Sequence, residues 1–350
     1  MRAIVYDAVG AMPVLTDVPE PDCPPDGAVV AVRATGICRS DWHAWRGHDP
    51  VPLPNIPGHE FAGVVSRIGA QVTGFGVGDR VTVPFVNGCG RCEWCASGQA
   101  QVCPEQTQPG FTHPGSFAER VTVRAADFNL VRLPADVDFV TAASLGCRFA
   151  TAYHALTAQG RLQAGEWLAV VGCGGVGLSA VMIGVALGAR VVAVDPSPAA
   201  RRRALELGAE AVLEDAEGLA TATRGGAHVS IDALGSAATA TASILGLRRR
   251  GRHVQVGLML AGNAAAALPW GAVVARELEV IGSHGMAAAD YPGLLAMISA
   301  GRLAPGTLIG RTVGLEQAGL ELAAMDAPVP SAAGLVVAVI DQADFLAFCE

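Results

Sequence analysis

Trp167-Leu-Ala-Val-Val171-Gly172-Cys-Gly174-Gly175-Val176-Gly177-Leu178 decides how much of this 350-residue chain folds. Five apolar residues form a buried strand, and glycines in the spacing G-x-G-x-x-G open a turn before the helical run Leu178 to Leu187. A second strand, Arg190 to Val194, ends on Asp195, 18 positions beyond Gly177. Alone, the glycine pattern is a weak signal. With a strand before it, a helix after it and an acidic residue beyond, it is the fingerprint of a dinucleotide site. Gly172, Gly174, Gly175, Val176 and Gly177 let backbone N–H groups and a helix N-terminus approach a pyrophosphate. Asp195 accepts hydrogen bonds from ribose hydroxyls and repels a 2′-phosphate, which favours NAD over NADP; the reservation is Arg201-Arg202-Arg203, whose guanidiniums would suit that phosphate. Trp167 to Ala189 is uncharged and long enough to cross a membrane, but the four glycines and the cysteine near its start fit a strand, turn and helix in a soluble core.

Alternation continues outward from this unit. Helices are expected near Ala199 to Leu207 and Ala237 to Leu247, and strands near Ala211 to Leu213, His228 to Leu234, His253 to Gly257 and Leu278 to Ile281. This is the pattern of a doubly wound parallel sheet, an α/β fold. Beyond Gly285, a helix over Tyr291 to Ala300 precedes Leu335 to Ile340, a strand returning to the first domain. Before the glycine unit the chain reads as β-rich. Val29 to Arg33 is a strand, Pro19 to Asp26 a turn, and Gly63-Val64-Val65, Ile68-Gly69 and Val77 to Val81 are short strands broken by glycines, as in a compact barrel-like domain. Phe139 to Leu162 reads as helix.

A net charge of -8 disfavours nucleic acid and anionic membranes as partners. Arg201–Arg203 and Arg248–Arg250 are expected to cap helix C-termini or face solvent. All 24 basic residues are Arg, so Schiff-base chemistry, a lysine base and a Walker A loop are excluded. The N-terminus lacks a secretory h-region, and a cytoplasmic location is expected. In that compartment nine cysteines, an odd number, read as metal ligands before disulfides.

Cys89, Cys92, Cys95 and Cys103 stand at intervals of two, two and seven residues, a set that closes a tetrahedron around a structural zinc with no open position. A nucleic-acid-binding ribbon would need a basic surround, and Arg91 stands almost alone. Earlier, Cys38-Arg39-Ser40-Asp41-Trp42-His43 and Gly58-His59-Glu60 gather a thiol, a hydroxyl, carboxylates and imidazoles, the mixture of a reactive metal site, with Cys38 and His59 as candidate zinc ligands. Cys147 alone reads as a buried small apolar residue; it becomes a third ligand only if those two need one.

With these motifs in this order, the chain resembles the zinc-dependent medium-chain alcohol dehydrogenases over essentially its whole length. The resemblance implies a GroES-like catalytic domain over 1–147 and 286–350, with a structural zinc lobe at 86–105, and a Rossmann NAD-binding domain over 148–285. It implies NAD and two Zn²⁺ per chain. Cys38, His59 and Cys147 would hold the catalytic ion, with Asp41 orienting His59 and Glu60 close to the metal. Zinc would stabilise the negative charge on the alcohol oxygen, Ser40 would pass the proton by way of the nicotinamide ribose to His43, and Arg39 and Val256 would contact the cofactor. Where many relatives carry an Arg this chain reads Gly334-Leu335, so one pyrophosphate contact is missing. Trp42, Trp45 and Phe85 fall near the implied pocket wall; for Trp45 an ordinary core position is an equal alternative. An uncharged alcohol, aldehyde or ketone is the expected substrate. The short segment between Cys103 and Cys147 implies a homotetramer, with a homodimer as the alternative. Rival readings are a polyol, sugar or formaldehyde dehydrogenase on the same scaffold, a zinc-free enone reductase using NADPH, and a non-enzymatic zinc and dinucleotide binder.

Overall fold

The computed structural model describes residues 1–260, 264–327 and 334–340. Cys349 and the remainder of the 286–350 assignment lie outside the described residues. The chain divides into two compact units: one takes Met1–Cys147 and the described parts of Gly285–Val329 and Leu335–Glu350, the other is built on Arg148–His284.

In the second unit a six-stranded parallel sheet runs in the spatial order Ala211–Leu213, Arg190–Val194, Trp167–Val171, Ala227–Asp232, Leu247–Gln255, Glu279–Gly282. Every residue of Trp167–Val171 is buried, which is why that strand shows no polar alternation. The expected strand pattern holds, with boundaries displaced by a few residues. The largest displacement is at Leu247–Gln255, which takes in Arg248–Arg250. These arginines therefore belong to a strand that begins two residues after the helix Ala237–Leu245, and Arg249 and Arg250 face solvent, one of the two expected placements. Arg248 donates to His228, Arg250 pairs with Glu277, and Arg249 alone reaches a helix end, at the Ala275 carbonyl. Arg201–Arg203 lie within the helix Pro198–Glu206.

The first unit carries a two-stranded ribbon, Arg2–Val5 with Val14–Asp17, and a seven-stranded mixed sheet. Its centre is Ala28–Ile37, paired antiparallel with Glu60–Ile68, with Arg120–Val123 and with the C-terminal strand Leu335–Val339. Glu60–Ile68 is one continuous strand where glycine breaks were expected. Gly63 lies inside it because a Cβ there would stand 2.1 Å from the Ala31 carbonyl oxygen, so the neighbouring strand passes where a side chain would be. Ile4, Tyr6, Ile37, Trp45, Phe61 and Phe117 are among the residues of its core. The expected helix over Phe139 to Leu162 is interrupted by two π-helical turns, Leu145–Phe149 and Ala155–Gln159. Cys147 sits in the first, the kind of widened turn that redirects a side chain at functional positions.

Candidate functional site

Cys38 ends the central strand Ala28–Ile37 and begins the helix Arg39–Trp45. Asp41, in the first turn, reaches back: Oδ2 accepts the Cys38 N–H at 3.1 Å. Its other oxygen accepts the Gly58 N–H at 3.0 Å and Nδ1–H of His59 at 2.9 Å. One buried carboxylate thus ties a helix start to His59, 18 residues later and just before a strand, and in the neutral ring sets the tautomer so that Nε2 carries the lone pair.

That Nε2 is buried and has no hydrogen bond. It faces Cys38 and Cys147, and the three ligand atoms lie within 4.8 Å of one another. Burial lowers the basicity of His59, but Asp41 and then Cys38 outweigh it and hold the metal-free imidazole well above its ordinary pKa, so a cation would take Nε2 by displacing a proton. Two soft sulfurs, an orphaned imidazole nitrogen and an orienting carboxylate fit Zn²⁺, with three protein donors in the pattern of a site left open for a fourth ligand. Phe111 and Phe85 stand edge-on to the His59 ring at centroid distances of 5.3 and 6.0 Å. Glu60, fully buried, starts the strand that follows His59. Tyr291 is buried with its hydroxyl donating to the Gly146 carbonyl at 3.4 Å; burial, then Cys147 and Glu60, push its pKa up.

Ser40 Oγ is 3.8 Å from Cys38 Sγ, and His43 follows one turn along the same helix. Arg39 stacks over Trp42 and donates to the Met325 carbonyl at 2.7 Å, while Trp42 Nε1 donates to Asp326 at 2.8 Å. Trp42 and Phe85 are half-buried. Trp45, for which pocket wall and core were equal alternatives, is in the hydrophobic core, with Nε1 donating to the Ala11 carbonyl at 2.6 Å. Its bulk fills the inner face of the helix, with Trp42 packed against the same core one turn earlier, and a buried indole needs such an acceptor.

The second cysteine set converges as well. Cys89, Cys92, Cys95 and Cys103 place their sulfurs within 4.8 Å of one another, and none of the eight described cysteines is in a disulfide. Cys92 and Cys103 are 3.7 Å apart, close to the edge of about 3.8 Å that a tetrahedron of Zn–S bonds of about 2.3 Å would have. Backbone N–H groups of Cys89 and Cys95 point at sulfur, at 3.4 and 3.5 Å. The Arg91 N–H draws the Cys89 thiol down to about 7, whereas burial pushes Cys95 up to about 12. Among the described residues, the apolar cluster of this lobe joins its four cysteines to Ala100, Ala287 and Phe128.

In the other unit, Gly172 has φ +88°, which the tight turn requires, and a Cβ on Gly177 would stand 1.8 Å from the Gly172 carbonyl oxygen. These glycines let the helix Gly175–Ala186 pack onto its strand. Among the described residues nothing lies within 4 Å of where a Gly174 Cβ would be, which leaves room at the turn for a phosphate to approach. Asp195 accepts from the N–H groups of Cys173 and Ser197, both at 2.8 Å, which leaves carboxylate lone pairs for ribose hydroxyls. Arg201 folds back to the Asp195 and Pro196 carbonyls at 2.7 and 2.9 Å. The Val256 N–H donates to the Asp232 carbonyl, at the end of the adjacent strand.

Phe111, Tyr291 and His48, which meets His43, were missed in the sequence. Each stands outside any spaced motif, and only the Gly110 and Gly115 turns around Phe111 hinted at a shaped loop.

Residues 24–135 match the family model described as alcohol dehydrogenase GroES-like domain, and residues 175–300 that described as zinc-binding dehydrogenase. An alcohol dehydrogenase from Geobacillus stearothermophilus is 36% identical over 265 residues, 74% of this chain and 78% of that protein. Alcohol dehydrogenase TADH from Thermus sp. ATN1 matches with a TM-score of 0.90 at 29% identity, covering 97% of this chain and 100% of that one. A cobalt- and zinc-bound thermostable alcohol dehydrogenase from Pyrobaculum aerophilum matches with a TM-score of 0.85 at 28% identity, covering 97% and 99%. The chain belongs to the zinc-dependent medium-chain dehydrogenase/reductase family, with its GroES-like and Rossmann folds. Within that family it is an oxidoreductase of the alcohol dehydrogenase type. No helix among the described residues is long and apolar enough to cross a membrane.

The hold of Asp41 on Cys38, Gly58 and His59 gives a direct expectation. Asparagine offers one acceptor oxygen for three donors, so Asp41→Asn should weaken zinc binding by roughly 10- to 100-fold, the usual cost of losing such an orienting partner. Competition with a chelator of known affinity measures it; unchanged zinc affinity would remove the role.

Proposed function

We propose that this chain is a zinc- and NAD-dependent dehydrogenase that interconverts an uncharged primary or secondary alcohol with its aldehyde or ketone. The observation that carries the reading is the convergence of Cys38, Cys147 and the orphaned His59 Nε2 on one point, with Asp41 holding the opposite ring nitrogen. Zinc bound there would supply a Lewis acid for the alcohol oxygen, and NAD a hydride acceptor.

This chain's residues do the rest. Asp41 keeps His59 in the ligating tautomer, and Glu60 offers a carboxylate beside the ligand set. Ser40 Oγ takes the hydroxyl proton and His43 receives it, an order set by their positions on one short helix. Phe85, Phe111 and Trp42 present apolar surface that excludes water and favours an uncharged substrate. Gly172, Gly174, Gly175, Val176 and Gly177 cradle the pyrophosphate, with Arg39 and Val256 as further cofactor contacts. Cys89, Cys92, Cys95 and Cys103 hold a second, structural zinc. A homotetramer is the proposed assembly.

Asp195 favours NAD, and Arg201, already engaged with two carbonyls, is not poised for a 2′-phosphate. A hydrogen bond to a charged group contributes about 1.5–3 kcal/mol, so Asp195→Ser should move the NAD/NADP preference in kcat/KM by roughly 10- to 100-fold towards NADP. Unmoved selectivity would sink the assignment. The function itself is tested by a kcat/KM panel of primary, secondary, aromatic and polyol alcohols with NAD. Uncharged monoalcohols should lead; a preference for polyols would redirect the substrate class, and no oxidation of any alcohol would overturn the reading.

A further inference from the structure

The helix Arg39–Trp45 ends in a contact that the proton path above does not use. His43 Nδ1 lies 3.1 Å from His48 Nδ1, and the Trp42 ring stands edge-on to both imidazoles, at centroid distances of 5.0 and 5.2 Å. The backbone holds the pair: the chain turns at Gly47, with φ +73°, and the His48 N–H donates to the His43 carbonyl at 2.9 Å. His43 is half-buried and His48 exposed.

A hydrogen bond between two Nδ1 atoms of neutral rings has one chemical consequence: a single ring carries its proton on that nitrogen. When His43 is the donor, its Nε2 is a bare acceptor, while His48 carries its own proton on Nε2, towards water.

We propose that His48 is the outer member of a two-imidazole proton relay, taking from His43 the proton released by the substrate alcohol and delivering it to solvent. This rests on the reading of Ser40 and His43 given above. In the step, a proton arrives on His43 Nε2, the Nδ1–H bond of His43 breaks as Nδ1–H of His48 forms, and His48 releases its Nε2 proton to water. One proton enters and one leaves, no charge remains, and the rings have exchanged tautomers. Because His48 is exposed, its ring can swing away and both rings re-equilibrate with water. His48 acts through His43 and is a relay residue, not a catalytic one.

The surroundings favour a neutral, accepting His43. Burial, then His48 and Arg39, hold His43 below the ordinary imidazole range, opposed by Cys38 and Asp49. Asp326, beyond the helix Leu315–Ala324, is engaged by Trp42 and lies 3.6 Å from Arg46.

The test is His48→Gln, which keeps an acceptor for His43 Nδ1–H but cannot titrate; His48→Asn is the second variant if the first does not fold with its zinc. In the wild type, imidazole NMR should show His43 titrating below the ordinary imidazole range. In the variant, His43 should titrate in one step at higher pH, because a like-charged neighbour has gone. Alcohol oxidation needs the neutral acceptor, so activity falls as pH drops through its pKa, and the acid limb of single-turnover oxidation should move to higher pH in the variant. A positioned acid–base group contributes ~10²–10⁴-fold, and its outer partner is expected to account for about tenfold at pH 6. Wild-type turnover with an acid limb unmoved in both variants, or a His43 titration unmoved by them, overturns the relay alone. No turnover in the wild type overturns the functional reading and the relay with it.

Discussion

Cys38→Ser is expected to leave a folded protein with one zinc fewer per chain and alcohol oxidation reduced at least ~10³-fold. The magnitude follows from what a Lewis acid contributes, several kcal/mol of charge stabilisation, at 1.36 kcal/mol for each factor of ten. Serine replaces a soft thiolate by a hydroxyl that is protonated at neutral pH, so the site keeps His59 and Cys147 but loses a charge and a matched donor. Folding should survive. The Cys38 N–H still has Asp41 Oδ2 as acceptor, and the strand Ala28–Ile37 keeps its pairing with Glu60–Ile68. Metal content by atomic emission and steady-state turnover check both halves. Substantial residual oxidation in a variant that has lost the zinc would contradict the mechanism.

The second large effect is on stability. Cys92→Ser should remove the other zinc and lower the Tm by on the order of 10–20 °C, with the catalytic donors untouched. Zinc stabilises isolated zinc-finger peptides by about 10–16 kcal/mol. If about 5 kcal/mol of this is expressed here, a shift of roughly 2–4 °C per kcal/mol gives that range. The lobe has little else to order it: four cysteines make up most of its small cluster, with Phe128 as the one large side chain. Calorimetry of the wild type and the variant measures the difference. A Tm within a degree or two of wild type would mean that the lobe is held by something other than the metal.

The residues that were legible in the sequence are those whose chemistry depends on spacing along the chain. The glycines of 172–177 are required by a positive φ and by a helix lying against its own strand, both local demands, so strand, turn and helix could be read directly. The four-cysteine lobe is equally local. Cys147 was different: 88 residues separate it from His59, and only the resemblance to a family joined them. Asp41 could be expected to orient His59, but its simultaneous hold on the Cys38 and Gly58 backbone depends on how a helix and a strand meet. Trp45 shows the limit of position along a helix. Three residues from Trp42 and on the same side of the helix, it is fully buried where Trp42 is half-buried, and the acceptor for its indole comes from Ala11, far away in sequence. His48 carries no motif at all; a backbone turn at Gly47 brings it to His43.

The central claim is that a single zinc, held by Cys38, His59 and Cys147, is required for turnover. The most direct measurement is graded removal of metal by a chelator, with zinc per chain and alcohol oxidation followed together. The four-sulfur site should release its ion last, so activity should fall to zero as the content passes from two zinc ions per chain to one, and return when zinc is restored. Full activity at one zinc per chain, or in a chain freed of zinc, would contradict it.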